Sequence, residues 1–133
     1  MTDVTDHEVL IERAAMARER AYVPYSGFRM GAAVLTTGEE IVVGSLVENV
    51  SLGLAMCAER VALFACVAAG ARPQALALVS PRTDGSVTFP CGACLQVALE
   101  LGGPDLVVVA ATTDGEVQQA ILADLLPRGP RKA

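Results

Sequence analysis

The sequence has a single histidine, His7, and only 10 lysines and arginines against 15 aspartates and glutamates. With a net charge of −5, a pI near 4.8 and no basic cluster outside Arg128–Lys132, it lacks the positive stripe that holds a nucleic-acid backbone. Polynucleotides are poor partners for such a chain; small, neutral or weakly cationic molecules suit it better. Hydrophobic residues make up 53% and mean hydropathy is +0.46, yet Gly, Pro and charges interrupt every apolar run before it could span a bilayer. The apolar excess is expected in a generous core and a subunit interface. Residues 1–20 carry acids throughout and no central apolar segment, so no signal peptide and a cytoplasmic location are expected. Four cysteines in a chain of 133 residues without a leader do not make a disulfide scaffold, and thiols or metal ligands are expected. No internal repeat, linker or low-complexity tract divides residues 1–133, which are expected to form one domain.

Residues 8–21 place Val9, Leu10, Ala14 and Ala17, with Met16 beside them, at helical spacing, with Glu12, Glu19 and Arg20 largely opposite. An amphipathic helix with Asp6 as N-cap is expected, and His7 reads as a solvated neighbour of that cap. Pro24 and Gly27 then force a loop, Ala21–Phe28, rich in aromatics. These could cover an apolar end of the core or wall a pocket for a flat ring. Residues 29–47 read as a hairpin with Gly38 in its turn. Glu48 and Asn49 close it, placed either to face a ligand or to cap the loop. Residues 56–70 form a nearly all-apolar helix, expected to be buried on most sides, with Cys66 as a small core residue. A short strand at 74–80, a turn at 81–86, a helix at 91–101 and a Val-rich strand at 105–111 follow. Residues 113–118 suggest a turn and last strand, and 121–126 a short helix before Pro127. The basic tail 128–133 is expected to fray. A hairpin followed by alternating strands and helices predicts an α/β fold: a three-layer α/β/α sandwich on a mixed sheet.

The chemistry concentrates in Cys57-Ala58-Glu59-Arg60 and Pro90-Cys91-Gly92-Ala93-Cys94. Thiolates are soft ligands that select zinc or iron–sulfur clusters over magnesium or calcium. Cys57, Cys91 and Cys94 each sit near a helix start, where free N–H groups and the helix dipole favour a thiolate. Arg60 can donate to the sulfurs. Three ligands leave the fourth position of a tetrahedral zinc open for water, whereas a structural site closes with four. Glu59, two residues from a ligand, can take that water's proton and deliver it to a substrate nitrogen. This is equipment for hydrolytic deamination: activated water adds at a C–NH2 carbon and ammonia leaves. A lone C-x-x-C is a weak signal, but C-x-E followed by P-C-x-x-C is the three-cysteine form of the zinc-deaminase signature.

On these residues, with AYVPYSGF (21–28), GAA (31–33), VEN (47–49), Gln96 and LLP (125–127), the chain resembles the small homotetrameric cytidine deaminases of pyrimidine salvage. The resemblance implies a five-stranded mixed sheet between helices, one zinc per chain on Cys57, Cys91 and Cys94, and Glu59 as proton shuttle. It also implies that Phe28 lines the base pocket, Glu48 holds a ribose hydroxyl and the Ala58 backbone meets the base. The homotetramer of the resemblance builds each site from several subunits.

Departures cluster where the family meets its substrate. Leu46 stands where an Asn usually holds the ribose, Leu52 where a Tyr is typical, Leu95 where an Arg follows the second C-x-x-C cysteine, and Pro130 where an aromatic lies over a neighbour's base. A lost sugar hydrogen bond costs about 1–3 kcal/mol when its partner is left unpaired. The expected substrate is cytidine, 2'-deoxycytidine or a related aminopyrimidine nucleoside, N4-modified ones included. A free base or a blasticidin-type antibiotic is the alternative. Two other classes compete with this reading: a structural-zinc protein without turnover, which would have no use for Glu59, and a thiol redox protein on Cys91 and Cys94, which would not need Cys57.

Overall fold

A computed structural model describes residues 4–132, with side chains from His7 onward. Five strands form one mixed sheet: β1 (Gly31–Thr36), β2 (Ile41–Ser45), β3 (Pro73–Ser80), β4 (Val107–Thr112) and β5 (Val117–Ile121), in the order β2-β1-β3-β4-β5. Only β3 and β4 are parallel, joined by a helical crossover; the other neighbours run antiparallel. Four helices flank it: α1 (Val4–Arg18), α2 (Ala58–Ala68), α3 (Gly92–Gly102) and α4 (Leu122–Leu125).

The alternation of side chains along the strands divides the core in two. Ala33, Leu35, Ala75, Ala77, Val79, Val109 and Ala111 face Leu10 and Ala14 of α1. Ala32, Val34, Leu76 and Val108 face α2, α3 and Leu122 on the other side. The three-layer α/β/α sandwich is thereby borne out.

Two glycines set how closely helices approach. A Cβ on Gly31 would stand 2.2 Å from the Ala14 carbonyl oxygen of α1, and one on Gly44 would stand 2.4 Å from Ala62 N and 2.5 Å from Ala58 O of α2. Both obstacles are backbone, so no rotamer change relieves them. Gly44→Ala is expected to cost about 3 kcal/mol or more, the upper end of overpacking. Because α2 carries Cys57 and Glu59, metal content should fall with it. A thermal melt within about 1 °C of wild type, with metal stoichiometry unchanged, would refute this.

Several expectations need correction. α1 begins at Val4, so Asp6 lies inside the helix rather than at its N-cap, and its side chain is outside the described residues. Val9 and Met16 face outward, because the sheet is met only by the stripe through Leu10, Ala14 and Ala17. Gly38 does lie in the β1–β2 turn, as expected, while the left-handed residue of that turn is Glu39 (φ 64°). Its counterpart in the β4–β5 hairpin is Gly115, which needs no side-chain tolerance there. α2 is not buried on most sides: Ala58, Glu59, Ala62, Leu63 and Cys66 are buried, but Phe64 and Val67 are about half exposed on its outer face. The basic tail does not fray over the described residues. Gln96 donates its amide to the Pro130 carbonyl at 2.8 Å, Gly129 lies against Leu99 and Leu126, and Lys132 sits 3.8 Å from the Glu100 carboxylate.

Candidate metal and catalytic centre

Cys57 is the N-cap of α2 and Cys91 the N-cap of α3, both with extended backbone and neither side chain engaged in capping. The first-turn N–H groups of both helices are therefore not taken up by those side chains. Packing of α2 against α3 brings the two N-termini together, and the sulfurs of Cys57, Cys91 and Cys94 all lie within 4.8 Å of one another. Ligands 2.3 Å from a tetrahedral zinc stand about 3.8 Å apart, so the three thiols fit such an ion with small adjustments. Cys91 is exposed, Cys57 half-buried and Cys94 buried. Cys66 lies elsewhere, fully buried in the α2 side of the core.

The electrostatics suit bound cationic metal. The Cys57 thiol is pulled down to about 5, chiefly by the Cys94 thiol hydrogen-bonded to it and then by Arg60. Arg60 donates from Nη2 to the Cys57 sulfur at 3.4 Å. Hydrogen bonding to Cys57 and burial push Cys94 the other way. Such a cluster has one thiolate ready and others that a soft cation would deprotonate.

Glu59 lies one residue into the first turn of α2, 2% exposed, and its Oε1 has no hydrogen-bond partner. Burial, with the Cys57 charge adding to it, pushes its carboxyl up to about 7. An unpartnered buried carboxylate oxygen is costly to keep. Beside three thiols it is placed for a proton-bearing group that the protein itself does not supply.

The substrate-side candidates come from a second set of contacts. Residues 46–48 run between two neighbours. Tyr22 N–H donates to Leu46 O and Glu48 N–H to Tyr22 O on one side, while Val47 and Met56 exchange both backbone bonds on the other. Glu48 thus stands beside the chain entering Cys57. Its carboxylate accepts from the N–H groups of Tyr25 and Ser26, at 3.1 and 3.2 Å, and from the Ser26 hydroxyl at 2.5 Å. Those bonds hold its pKa below the usual carboxylate range. Of the two readings left open for Glu48, loop capping is therefore visible directly. Phe28, at the end of that loop, is half-buried, and its N–H donates to the Ser26 hydroxyl.

Leu46 turns into the α2-side core, packed with Met30 and Phe89 against the buried cluster that includes Ala58. Leu95 is buried in the same cluster. Leu52 is 84% exposed in a 3-10 turn, and Pro130 is tied to α3 through its carbonyl. The structure brings Cys57, Glu59, Arg60, Cys91 and Cys94 into one place, and Glu48 and Phe28 onto the adjoining loop; Leu52 is outside this group. His7, expected to be solvated, is half-buried with Nε2 lacking a partner among the described residues, far along the sequence from the thiols. Sequence reasoning missed Ser26. A Ser after Pro24-Tyr25 and before Gly27 carried a turn signal, but the partner Glu48 is 22 residues away.

The loop that delivers Cys91 is anchored too. Arg82 donates to both Asp114 oxygens, at 2.9 and 3.0 Å, and meets Glu116 at 2.9 Å, tying the 81–86 turn to the β4–β5 hairpin.

Comparison with known proteins places this geometry. Residues 4–111 match the family profile described as the cytidine and deoxycytidylate deaminase zinc-binding region. The chain is 43% identical over 122 residues to a cytidine deaminase of Halalkalibacterium halodurans, covering 92% of each. It superposes on the crystal structure of cytidine deaminase from Burkholderia pseudomallei with a TM-score of 0.88 at 47% identity, covering 98% of this chain and all of that one. The Mycobacterium tuberculosis cytidine deaminase structure gives 0.80 at 43%, covering 96% and 98%.

Proposed function

This chain belongs to the cytidine and deoxycytidylate deaminase family, and on that premise we propose that Cys57, Cys91 and Cys94 hold its zinc and that Glu59 moves the protons of a hydrolytic deamination. The substrate is cytidine or 2'-deoxycytidine and the products are the uridine nucleoside and ammonia. The observation that carries this is the buried, unpartnered Glu59 oxygen beside three converging thiols. A bound zinc ion supplies a Lewis acid that brings the pKa of water to roughly 7. Glu59 would take one proton from the attacking water and give it to the ring nitrogen as the oxygen adds to C4; it would then take the proton of the new C4 hydroxyl and give it to the amino group, so that the C4–N bond breaks, the C4 carbonyl forms and ammonia leaves neutral. A carboxyl poised near 7 is suited to both halves of that transfer. Arg60 offsets part of the thiolate charge.

Phe28 provides an apolar ring for the base, Glu48 an acceptor for a sugar hydroxyl, and the Ala58 backbone, in the first turn of α2, a contact for the base. An uncharged nucleoside suits the site better than a phosphorylated one. The nearby cations are committed: Arg60 to sulfur, and Arg29 to the carbonyls of Glu19 and Ala21. With its side chain turned into the core, Leu46 offers the sugar no hydrogen bond, which supports tolerance of altered sugars.

A homotetramer is part of the same proposal. Supporting it are the half-exposed Phe64 and Val67 on α2, the exposed Val50, Leu52 and Leu54, and an exposed Cys91 that a neighbouring subunit would cover. The free thiols at the site suit a reducing, cytoplasmic setting.

The zinc-loaded protein should form the 4-oxo pyrimidine from cytidine or 2'-deoxycytidine with one ammonia each, in a panel that adds cytosine, N4-methylcytidine (whose leaving group is methylamine), 2',3'-dideoxycytidine and a blasticidin-type compound, all read by the 4-oxo product. No such product from any member would overturn the proposal. Cytidine turning over far better than every altered nucleoside would leave the reaction and remove the broadened preference.

A further inference from the structure

The loop between α1 and β1 carries an unusual chain of contacts. Glu48 Oε1 receives two backbone N–H groups, from Tyr25 and Ser26, while Glu48 Oε2 receives the Ser26 hydroxyl. The same hydroxyl oxygen accepts the N–H of Phe28 at 3.0 Å. One small side chain thus links the acid that stands next to the sugar to the aromatic that stands next to the base. Nothing else among the described residues bridges the two. Gly27, between Ser26 and Phe28, has φ 70° with open space around its Cβ position, so little local packing fixes the loop tip. Its shape rests on the Ser26 and Glu48 contacts and on the Gly27 N–H bond to the Val23 carbonyl.

A carboxylate offers about four acceptor sites, two on each oxygen. Three are occupied here, and the remaining one is on Oε2, the oxygen that the Ser26 hydroxyl already shares. We propose that Ser26 is a positioning residue that couples sugar recognition at Glu48 to placement of the Phe28 ring over the base. This rests on the deaminase reading above for the identity of the ligand, and adds to it a residue and a coupling. A sugar hydroxyl donating to Oε2 fixes the carboxylate. The carboxylate fixes the Ser26 hydroxyl, and the hydroxyl fixes Phe28 through its N–H. A nucleoside lacking that hydroxyl then loses one bond directly and part of its base contact indirectly.

The test uses five zinc-loaded proteins: wild type, Ser26→Ala, Phe28→Leu, the double variant, and Ser26→Thr as the hydroxyl-retaining control. Ser26→Ala should raise KM for cytidine about tenfold, the loss of roughly one charge-assisted hydrogen bond, with kcat changed less than about threefold. Ser26→Thr should stay within about threefold of wild type in both. In the Phe28→Leu background Ser26→Ala should cost about threefold, the share lost through Glu48 alone, because the ring it positions is gone. Equal tenfold effects in both backgrounds, or no effect of Ser26→Ala, would overturn the coupling. Calorimetric titration with cytidine of the same proteins carrying Glu59→Gln reads the coupling without appreciable turnover. A wild type that binds but does not deaminate would end the deaminase reading and still decide the Ser26 question. A wild type that does not bind cytidine would overturn both.

Discussion

Glu59→Gln is expected to lower kcat for cytidine by about 10³-fold, within the range that a positioned acid–base group contributes, while one zinc per chain and KM within about threefold are retained. Glutamine keeps the size and the hydrogen-bonding oxygen of the side chain at a position that is 2% exposed, so the packing of α2 should hold. What it loses is the ability to take a proton and give it back. The variant separates a deaminase from a structural-zinc protein: in the latter, metal and function would both survive. A kcat within tenfold of wild type would remove Glu59 from the mechanism.

The same substitution has a second, opposite signature in the chelated protein. Burial places the Glu59 carboxyl at about 7 against an ordinary 4.5. Below pH 4 folded and unfolded chains both keep the proton, and glutamate and glutamine should differ little. As pH rises from 4.5, the unfolded chain releases it first, so folding is penalised progressively. Above 7 the folded chain releases it as well and the penalty levels off, at about 3 kcal/mol as an order of magnitude. Metal-free Glu59→Gln should therefore melt higher than metal-free wild type at pH 8 and at the same temperature near pH 4. A group retained where it lowers stability, and needed for turnover, is a group kept for chemistry.

How much of this was readable in the chain differs by the range of the interactions involved. The converging thiol set was legible because each cysteine announces itself locally. Cys57 and Cys91 stand at helix starts marked by apolar periodicity, and the C-x-x-C spacing puts Cys94 one turn on from Cys91. The first four strands were legible from their apolar or alternating runs, and β3 and β4 differ from their expected bounds by only one or two residues, whereas β5 runs through Ile121, past the expected 113–118 stretch. What escaped was decided by partners distant in sequence. Gly44 looks like a weak point in a strand until α2 is laid across it at backbone contact. Ser26 looks like a turn residue until Glu48 arrives 22 positions later. Phe64 and Val67 look like core because apolar composition does not say which face of α2 meets the sheet. The tail 128–132 looks free because its anchors, Gln96 and Glu100, are in α3.

Loss of a proposed zinc ligand has the largest expected effect. Cys94→Ala is expected to abolish zinc binding and lower activity by at least about 10⁴-fold, since the Lewis acid goes with its ligand. Cys66→Ala removes a sulfur of the same size from the same side of the core, yet should keep one zinc and near-normal kcat. It costs only about 1 kcal/mol or somewhat more for the small cavity. The contrast isolates coordination from packing, because both cysteines are buried in helices of one layer. Metal that binds the folded chain alone stabilises it by about 4 kcal/mol at a thousandfold excess over its dissociation constant. Wild type should thus melt lower after chelation, and Cys66→Ala should shift by a similar amount. Cys94→Ala should show no response to the chelator, having no ion to lose. Because the Cys94 thiol is the chief cause of the low Cys57 pKa, its removal should also slow alkylation of Cys57 at pH 6 in metal-free protein. One zinc per chain in purified Cys94→Ala, or a chelator-sensitive melt, would show that the ion is held elsewhere.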